Sequence, residues 1–125
     1  MIDLRREPQA PGPVITGFSR AGFRIGETVF PDGLLMTPEL AVPWKAPDIN
    51  VLAFVDVAPV VAITPAPEFL LLGTGSMLIH PPRSFVRGLE EKGIGVEAMD
   101  SRAAARAWGV LRAEERWIAA ALLPL

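Results

Sequence analysis

The stretch that decides the fold runs Glu68-Phe69-Leu70-Leu71-Leu72-Gly73-Thr74-Gly75. Its apolar residues follow one another without polar alternation, which is typical of a strand that other elements cover on both faces. Glycine after such a strand allows the backbone to adopt a positive φ or to approach another segment closely. We therefore predict a buried strand that ends in a tight turn, Gly73-Thr74-Gly75.

Helix and strand signals alternate after this turn. A helix opens at Pro81-Pro82 and ends at Gly93. Residues 95–99 predict a short strand, and the last apolar run, residues 116–123, predicts a strand that lies centrally in the sheet because it is apolar on both faces. The order strand, helix, strand, helix, strand places helices on the faces of an α/β sheet.

Asp100 or Ser101 caps the helix between these last two strands. A helical wheel divides this helix into two arcs. The predicted buried arc is apolar and consists of Ala103, Ala104, Ala107, Trp108 and Leu111. The predicted outer arc carries three arginines, Arg102, Arg106 and Arg112.

Short strand signals fill the first half of the chain. Residues 14–19 and 23–26 flank a glycine-containing turn and predict a hairpin. Two further strand-sized runs follow at residues 28–30 and 34–36. Residues 48–62 are ambiguous, because their valines suggest a strand and the spacing of their apolar side chains suggests a helix. We favour a helix of about two turns near residues 54–62.

Prolines punctuate residues 38–47 around Trp44, so no long regular element is expected there. An aromatic residue in such a segment either fills the core or marks an interface with a partner. Between Lys45 and Arg83 the chain has no positive charge and three acids. A weakly charged surface of this kind suits contact with another protein.

The chain has 125 residues, which suits one domain over residues 14–125 after a flexible leader over residues 1–13. Half of the residues are hydrophobic and the mean hydropathy is +0.35. No apolar run is long enough to span a bilayer. The start lacks the apolar segment of a signal peptide, so we expect a cytoplasmic protein.

The charge and the residue types exclude several function classes. The net charge is −2, whereas binding of nucleic acid requires a basic face. With no cysteine and one histidine, the chain offers neither thiol chemistry nor a typical zinc site. We expect no metal and no cofactor.

Two interpretations of the glycine turn stay open. Backbone amides of Thr74, Gly75 and Ser76 could bind an anion together with His80 and Arg83. The alternative is a structural turn packed under the edge of the sheet. We favour the structural turn, because the third glycine of a dinucleotide fingerprint is absent and residues 76–82 separate the turn from the helix.

The charged and nucleophilic side chains near the turn have structural alternatives too. His80 with Ser76 or Thr74 lacks the Gly-x-Ser-x-Gly elbow of a nucleophilic triad. Arg87 could join an anion site, but it is also spaced for an ion pair with Glu91 on the outer face of its helix. Arg102 and Arg106 either lie on a solvated face or meet an acidic partner.

Several strings in the second half resemble a single family. They are Leu70–Gly75, Gly93–Met99, Ala104 with Arg106, Leu111 with Arg116, and Ala119–Pro124. The family contains mitochondrial complex I assembly factor 3 and uncharacterised bacterial and archaeal proteins, and the resemblance covers residues 14–124. After the arginine that matches Arg106, the family usually has a hydroxyl residue, an aromatic and an amide, where this chain has Ala107, Trp108 and Gly109.

The resemblance implies a three-layer α/β fold, with a mixed central sheet between helices and an extra N-terminal β-hairpin layer. It implies no enzymatic activity, and in eukaryotes it implies binding to other proteins during assembly of respiratory complex I. Our first hypothesis is thus a non-enzymatic protein-interaction domain linked to that assembly, with Trp44, Arg102 and Arg106 as candidate interface residues. The second is a small-molecule or anion-binding protein that uses the glycine turn. The third is a homo-oligomer.

Overall fold

Three short strands form a small antiparallel sheet at the start of the domain. In the computed structural model, which describes residues 12–19 and 21–125, they are β1 (Gly17–Ser19), β2 (Gly22–Ile25) and β3 (Thr28–Phe30). The predicted hairpin is confirmed, and β3 extends it by pairing Phe23 with Phe30. Residues 1–11 of the predicted leader lie outside the described residues.

The central sheet is mixed and contains five strands. They are β4 (Leu34–Met36), β5 (Ala41–Pro43), β6 (Phe69–Gly73), β7 (Gly95–Met99) and β8 (Ala119–Leu122), in the order β5-β4-β8-β6-β7. The last strand in the sequence, β8, is the middle strand, as its apolar composition predicts. It pairs in parallel with β6 and antiparallel with β4.

Three helices complete the fold, and a short 3₁₀ helix, Ile49–Val51, precedes them. They are α1 (Phe54–Val61), α2 (Arg83–Glu90) and α3 (Ser101–Ala113). The predicted helices at residues 54–62 and after Pro81-Pro82 are confirmed. The longest has 13 residues, and no helix among residues 12–19 and 21–125 is long and apolar enough to cross a bilayer.

Successive leucines of β6 connect the central sheet to both outer layers, because side chains alternate between the faces of a strand. Leu70 and Leu72 pack with buried residues of α1 and α2. Leu71 packs on the opposite face with Phe23 of β2 and Trp108 of α3. The three-layer α/β fold with an N-terminal hairpin layer is therefore confirmed.

The predicted arcs of α3 are wrong at Arg112. Arg102 and Arg106 are exposed, but the buried face consists of Ser101, Ala104, Ala105, Trp108 and Arg112. The guanidinium of Arg112 donates from Nη1 to the carbonyl oxygen of Arg116 at 2.6 Å, where the chain turns back toward β8. Because the turn brings a carbonyl acceptor to this side of the helix, the arginine is buried with a hydrogen-bond partner.

The small sheet contributes to stability mainly through Phe23, which is fully buried against Trp108, Met36 and Leu71. Replacing Phe23 by alanine removes most of a ring from this cluster, so we expect the free energy of unfolding to fall by about 3–5 kcal/mol in urea titration. Val110→Ala, at a side chain that is 61% exposed, is expected to change it by less than about 0.5 kcal/mol. If the two substitutions lower the free energy of unfolding equally, the packing of Phe23 between the small sheet and the central sheet is incorrect.

Candidate functional site

The glycine turn lies at the carboxyl end of β6, where it meets the end of the chain and the start of α3. The Ser101 hydroxyl accepts a hydrogen bond from the Gly75 amide at 2.8 Å and donates to the carbonyl oxygen of Leu123 at 2.7 Å. The Ser101 amide donates to the carbonyl oxygen of Gly75, and the Leu123 amide donates to that of Gly73. Ser101 is fully buried and joins all three segments.

Gly73 is needed because Ser101 lies directly over it. A Cβ atom at position 73 would come within 2.7 Å of Ser101 Oγ, 2.8 Å of Leu122 Cδ2 and 2.9 Å of Ser101 Cα. Gly75 has a φ of +103°, a region in which side chains are strained. Both glycines of the turn thus serve close packing and backbone geometry.

Thr74 fixes the segment that follows the turn. Its amide donates to the carbonyl oxygen of Met99, at the end of β7. Its hydroxyl donates to the carbonyl oxygen of Met77 at 2.7 Å and accepts a hydrogen bond from the Ile79 amide at 3.1 Å. The amides of Thr74 and Gly75, two of the three candidate anion donors, therefore donate inside the protein, whereas Ser76 is exposed.

Three large apolar side chains point into solvent directly after this anchored turn. Met77 is 62% exposed, Leu78 52% and Ile79 37%. We call residues 77–79 the apolar loop. An exposed apolar surface of this kind is a candidate contact surface for another molecule.

A groove with a volume of about 480 Å³ continues from the apolar loop. It is lined by His80, Pro81, Arg83, Val86, Arg87 and Glu90. The structure thus brings the candidate residues His80 and Arg83 together on one surface, while the glycine turn is buried beneath the neighbouring segment. The predicted ion pair between Arg87 and Glu91 is wrong, because no such contact forms between these two described residues and Arg87 lines the groove instead.

The three candidate interface residues lie in different surroundings. Trp44 is 8% exposed and belongs to the core beneath α1 and α2, which is the first of the two alternatives for this aromatic. The guanidinium of Arg102 lies 5.8 Å from the ring centre of Phe18. Arg106 lines a separate, smaller groove of about 140 Å³ beside β1.

No group of three His, Asp or Glu side chains within residues 12–19 and 21–125 is placed to hold a metal ion. The hydroxyl of Thr74, one of two nucleophiles considered beside His80, is occupied by backbone groups of its own loop. The Thr74 hydroxyl therefore serves the backbone, whereas Ser76 and His80 are exposed.

Sequence reasoning missed Ser101 and the apolar loop. Asp100 caps α3 by accepting a hydrogen bond from the Ala103 amide at 2.9 Å, which leaves the Ser101 hydroxyl for the turn. Asp100 and Ser101 are both residue types that cap helices, and a helix needs only one such cap. This pair was the available signal that the second residue bonds elsewhere. For the loop, the signal was three large apolar residues in a stretch bounded by glycine and proline, where no helix or strand is predicted.

The family described as protein of unknown function (DUF498/DUF598) matches residues 15–123. An uncharacterised protein of Rhodobacter capsulatus is 36% identical, with 96% of this chain and 92% of that protein covered. The NADH dehydrogenase (ubiquinone) 1 alpha subcomplex assembly factor 3 of Danio rerio is 28% identical, with 98% of this chain and 71% of that protein covered. The predicted family resemblance is confirmed.

Solved structures show the same fold. The solution structure of a Bordetella pertussis protein, described as a Mth938-like domain, superposes with a TM-score of 0.79 at 27% identity. The alignment covers 98% of this chain and 92% of that one. The two proteins therefore share the arrangement of sheets and helices.

Gly73→Ala tests the close approach of Ser101. The new Cβ would overlap backbone and side-chain atoms of two neighbours, so we expect a loss of about 1–3 kcal/mol in the free energy of unfolding. Gly109→Ala is the matched control, because a Cβ there meets nothing within 4 Å and alanine favours the helix by up to about 1 kcal/mol. If both variants are equally stable in urea titration, the packing described for Gly73 is incorrect.

Ser101→Ala tests the buried hydroxyl. The substitution leaves the Gly75 amide and the Leu123 carbonyl without this partner, and an unsatisfied buried group costs about 1–3 kcal/mol. We expect a loss in that range or above, measured by thermal and urea unfolding. Ser84→Ala, at an exposed position of α2, is the control and is expected to change stability little.

Proposed function

The chain belongs to the DUF498/DUF598 family, whose relatives include a complex I assembly factor, and we propose that it is a protein-interaction domain without enzymatic activity. In this proposal the apolar loop is the docking surface. The domain binds another protein during the assembly of a respiratory complex. The single observation that carries the proposal is the exposure of three consecutive large apolar side chains on an anchored backbone.

Burial of the apolar loop by a partner would be favourable for two reasons. Removing apolar surface from water stabilises a complex by about 25 cal/mol per Å². The Thr74 hydroxyl already fixes the loop backbone through the Met77 carbonyl and the Ile79 amide. A loop that is ordered before binding loses less conformational entropy on binding, so more of the interaction energy appears as affinity.

The use of polar groups near the turn also supports binding rather than catalysis. Catalysis needs a nucleophile or an acid–base pair that is free to reach a substrate. Here the hydroxyls of Thr74 and Ser101 form hydrogen bonds within the protein. Ser76 and His80 are exposed, but no hydrogen bond joins these two described residues, so the pair lacks the contact that activates a nucleophile.

The link to respiratory complex assembly comes from the relative in Danio rerio. Its name states a role as an assembly factor for NADH dehydrogenase, and the alignment covers nearly all of the present chain. An assembly factor acts by contact with other proteins. We therefore propose that the apolar loop contacts a subunit or another factor of that complex.

Binding of a small anion is the second candidate function. It rests on His80 and Arg83, which share the groove, and it does not include the amides of Thr74 and Gly75 because these donate within the fold. Titration with phosphate and with carboxylic acids, followed by NMR shifts at these two residues, tests this candidate.

The protein-interaction proposal predicts a specific loss of partners. The tagged full chain is expressed in cells of the source organism and captured, and complex I subunits and assembly factors are quantified by mass spectrometry. We expect the double substitution Met77→Ser and Leu78→Ser to lower their recovery about tenfold or more, because these side chains would form the buried centre of the contact.

Val110→Ser is the matched control, since Val110 is as exposed as Met77 but lies on α3. It is expected to leave the recovery unchanged. Recovery of complex I proteins that is equal for wild type and for both variants, or indistinguishable from an untagged sample, would contradict the proposal. Circular dichroism of each purified variant checks that the fold is retained.

A further inference from the structure

We infer that the segment of the partner protein bound beside the apolar loop is acidic, with a carboxylate that binds between Arg83 and Arg87. The inference rests on the proposed function, because it names the chemistry of the segment that docks there. It is carried by the groove that continues from the apolar loop and by the charges that line it.

The two arginines lie one turn apart on the same face of α2. Both side chains are exposed, and neither forms an ion pair with any residue in the described ranges 12–19 and 21–125. Two guanidinium groups at this spacing can bind a single carboxylate from both sides. Arginine is well suited to this, because its planar donors match the two oxygens of a carboxylate.

Glu90 makes the distribution of charge along the groove uneven. It is the last residue of α2, three positions beyond Arg87, whereas His80 precedes the helix. A partner carboxylate near Glu90 would be repelled, whereas one nearer to Arg83 would be attracted. The charges therefore favour an acidic group at the end of the groove that adjoins the apolar loop.

The apolar loop and the groove are continuous along the chain. Ile79, the last residue of the loop, is followed by His80 and Pro81, which line the groove. Val86, between the two arginines in sequence, adds an apolar wall. A segment that places an apolar side chain on the loop can therefore extend its neighbouring carboxylate into the groove, which combines an apolar anchor with a polar rim.

A protein segment fits this surface better than an anionic membrane. Anionic membranes attract clusters of about four or more Lys and Arg, whereas this groove of about 480 Å³ carries two arginines with Glu90 beside them. Concave sites accept single side chains or ligands. We therefore assign the cations to an acidic protein segment, and binding to a membrane becomes an outcome of the test.

Selection from a library of random dodecapeptides displayed on phage tests the inference without knowledge of the natural partner. The immobilised targets are the full wild-type chain, R83E/R87E, and R24E/K45E as a control with the same change in net charge at two exposed positions outside α2. From wild type and from the control we expect peptides enriched in Asp or Glu beside a large apolar residue. From R83E/R87E we expect this preference to disappear or to reverse toward Lys and Arg.

The strongest acidic peptide is then measured in solution by fluorescence anisotropy. We expect its affinity for R83E/R87E to be about fivefold or more lower than for wild type, and the difference to shrink in high salt. Selected peptides without an acidic excess, or equal loss of affinity in R24E/K45E, would overturn the inference. A second result would also overturn it. In that case wild type, but not R83E/R87E, would cosediment with phosphatidylglycerol vesicles, and the peptide selection would yield no excess of Asp or Glu.

This test separates the inference from the proposed function. If the peptides show no acidic preference while Met77→Ser and Leu78→Ser still abolish recovery of complex I proteins, the proposed function stands and the acidic segment is rejected. If acidic peptides bind the groove while recovery does not depend on Met77 and Leu78, the arginine site stands and the proposed function is rejected.

Discussion

The hydroxyl of Ser101 joins three parts of the chain that end at the same edge of the central sheet. It accepts from the Gly75 amide and donates to the Leu123 carbonyl, at 2.8 and 2.7 Å. Both partners are distant in sequence, and the serine is inaccessible to water. Since a buried polar group without a partner costs about 1–3 kcal/mol, the positions of the turn, the final strand and α3 are fixed relative to one another.

The same arrangement separates the part of the turn that is structural from the part that meets solvent. Gly73, Thr74 and Gly75 are buried and fully engaged with α3 and the ends of β7 and β8. Two residues later the side chains of the apolar loop are exposed, although their backbone is held by the Thr74 hydroxyl. The backbone of this surface loop is therefore held at both ends by one buried hydroxyl.

The elements of this fold could be predicted from the sequence where the signal is local. The uninterrupted apolar runs at β6 and β8 indicate strands covered on both faces, and both are central. The contacts that define the candidate site could not be predicted, because they join distant residues. Gly75 and Ser101 are 26 positions apart, and the wheel that placed Arg112 outside contained no information about the Arg116 carbonyl.

The arginines of the domain differ in whether their guanidinium groups contact other parts of the protein. Arg112 is hydrogen-bonded inside the protein, Arg116 pairs with Glu68 at 2.8 Å, and Arg102 lies over the ring of Phe18. These guanidinium groups contribute to the fold itself. Arg83 and Arg87 differ, because they line one groove and neither forms an ion pair with an acid of the described residues. Their guanidinium groups remain exposed to solvent in a groove whose lining begins at His80, the residue that follows the apolar loop.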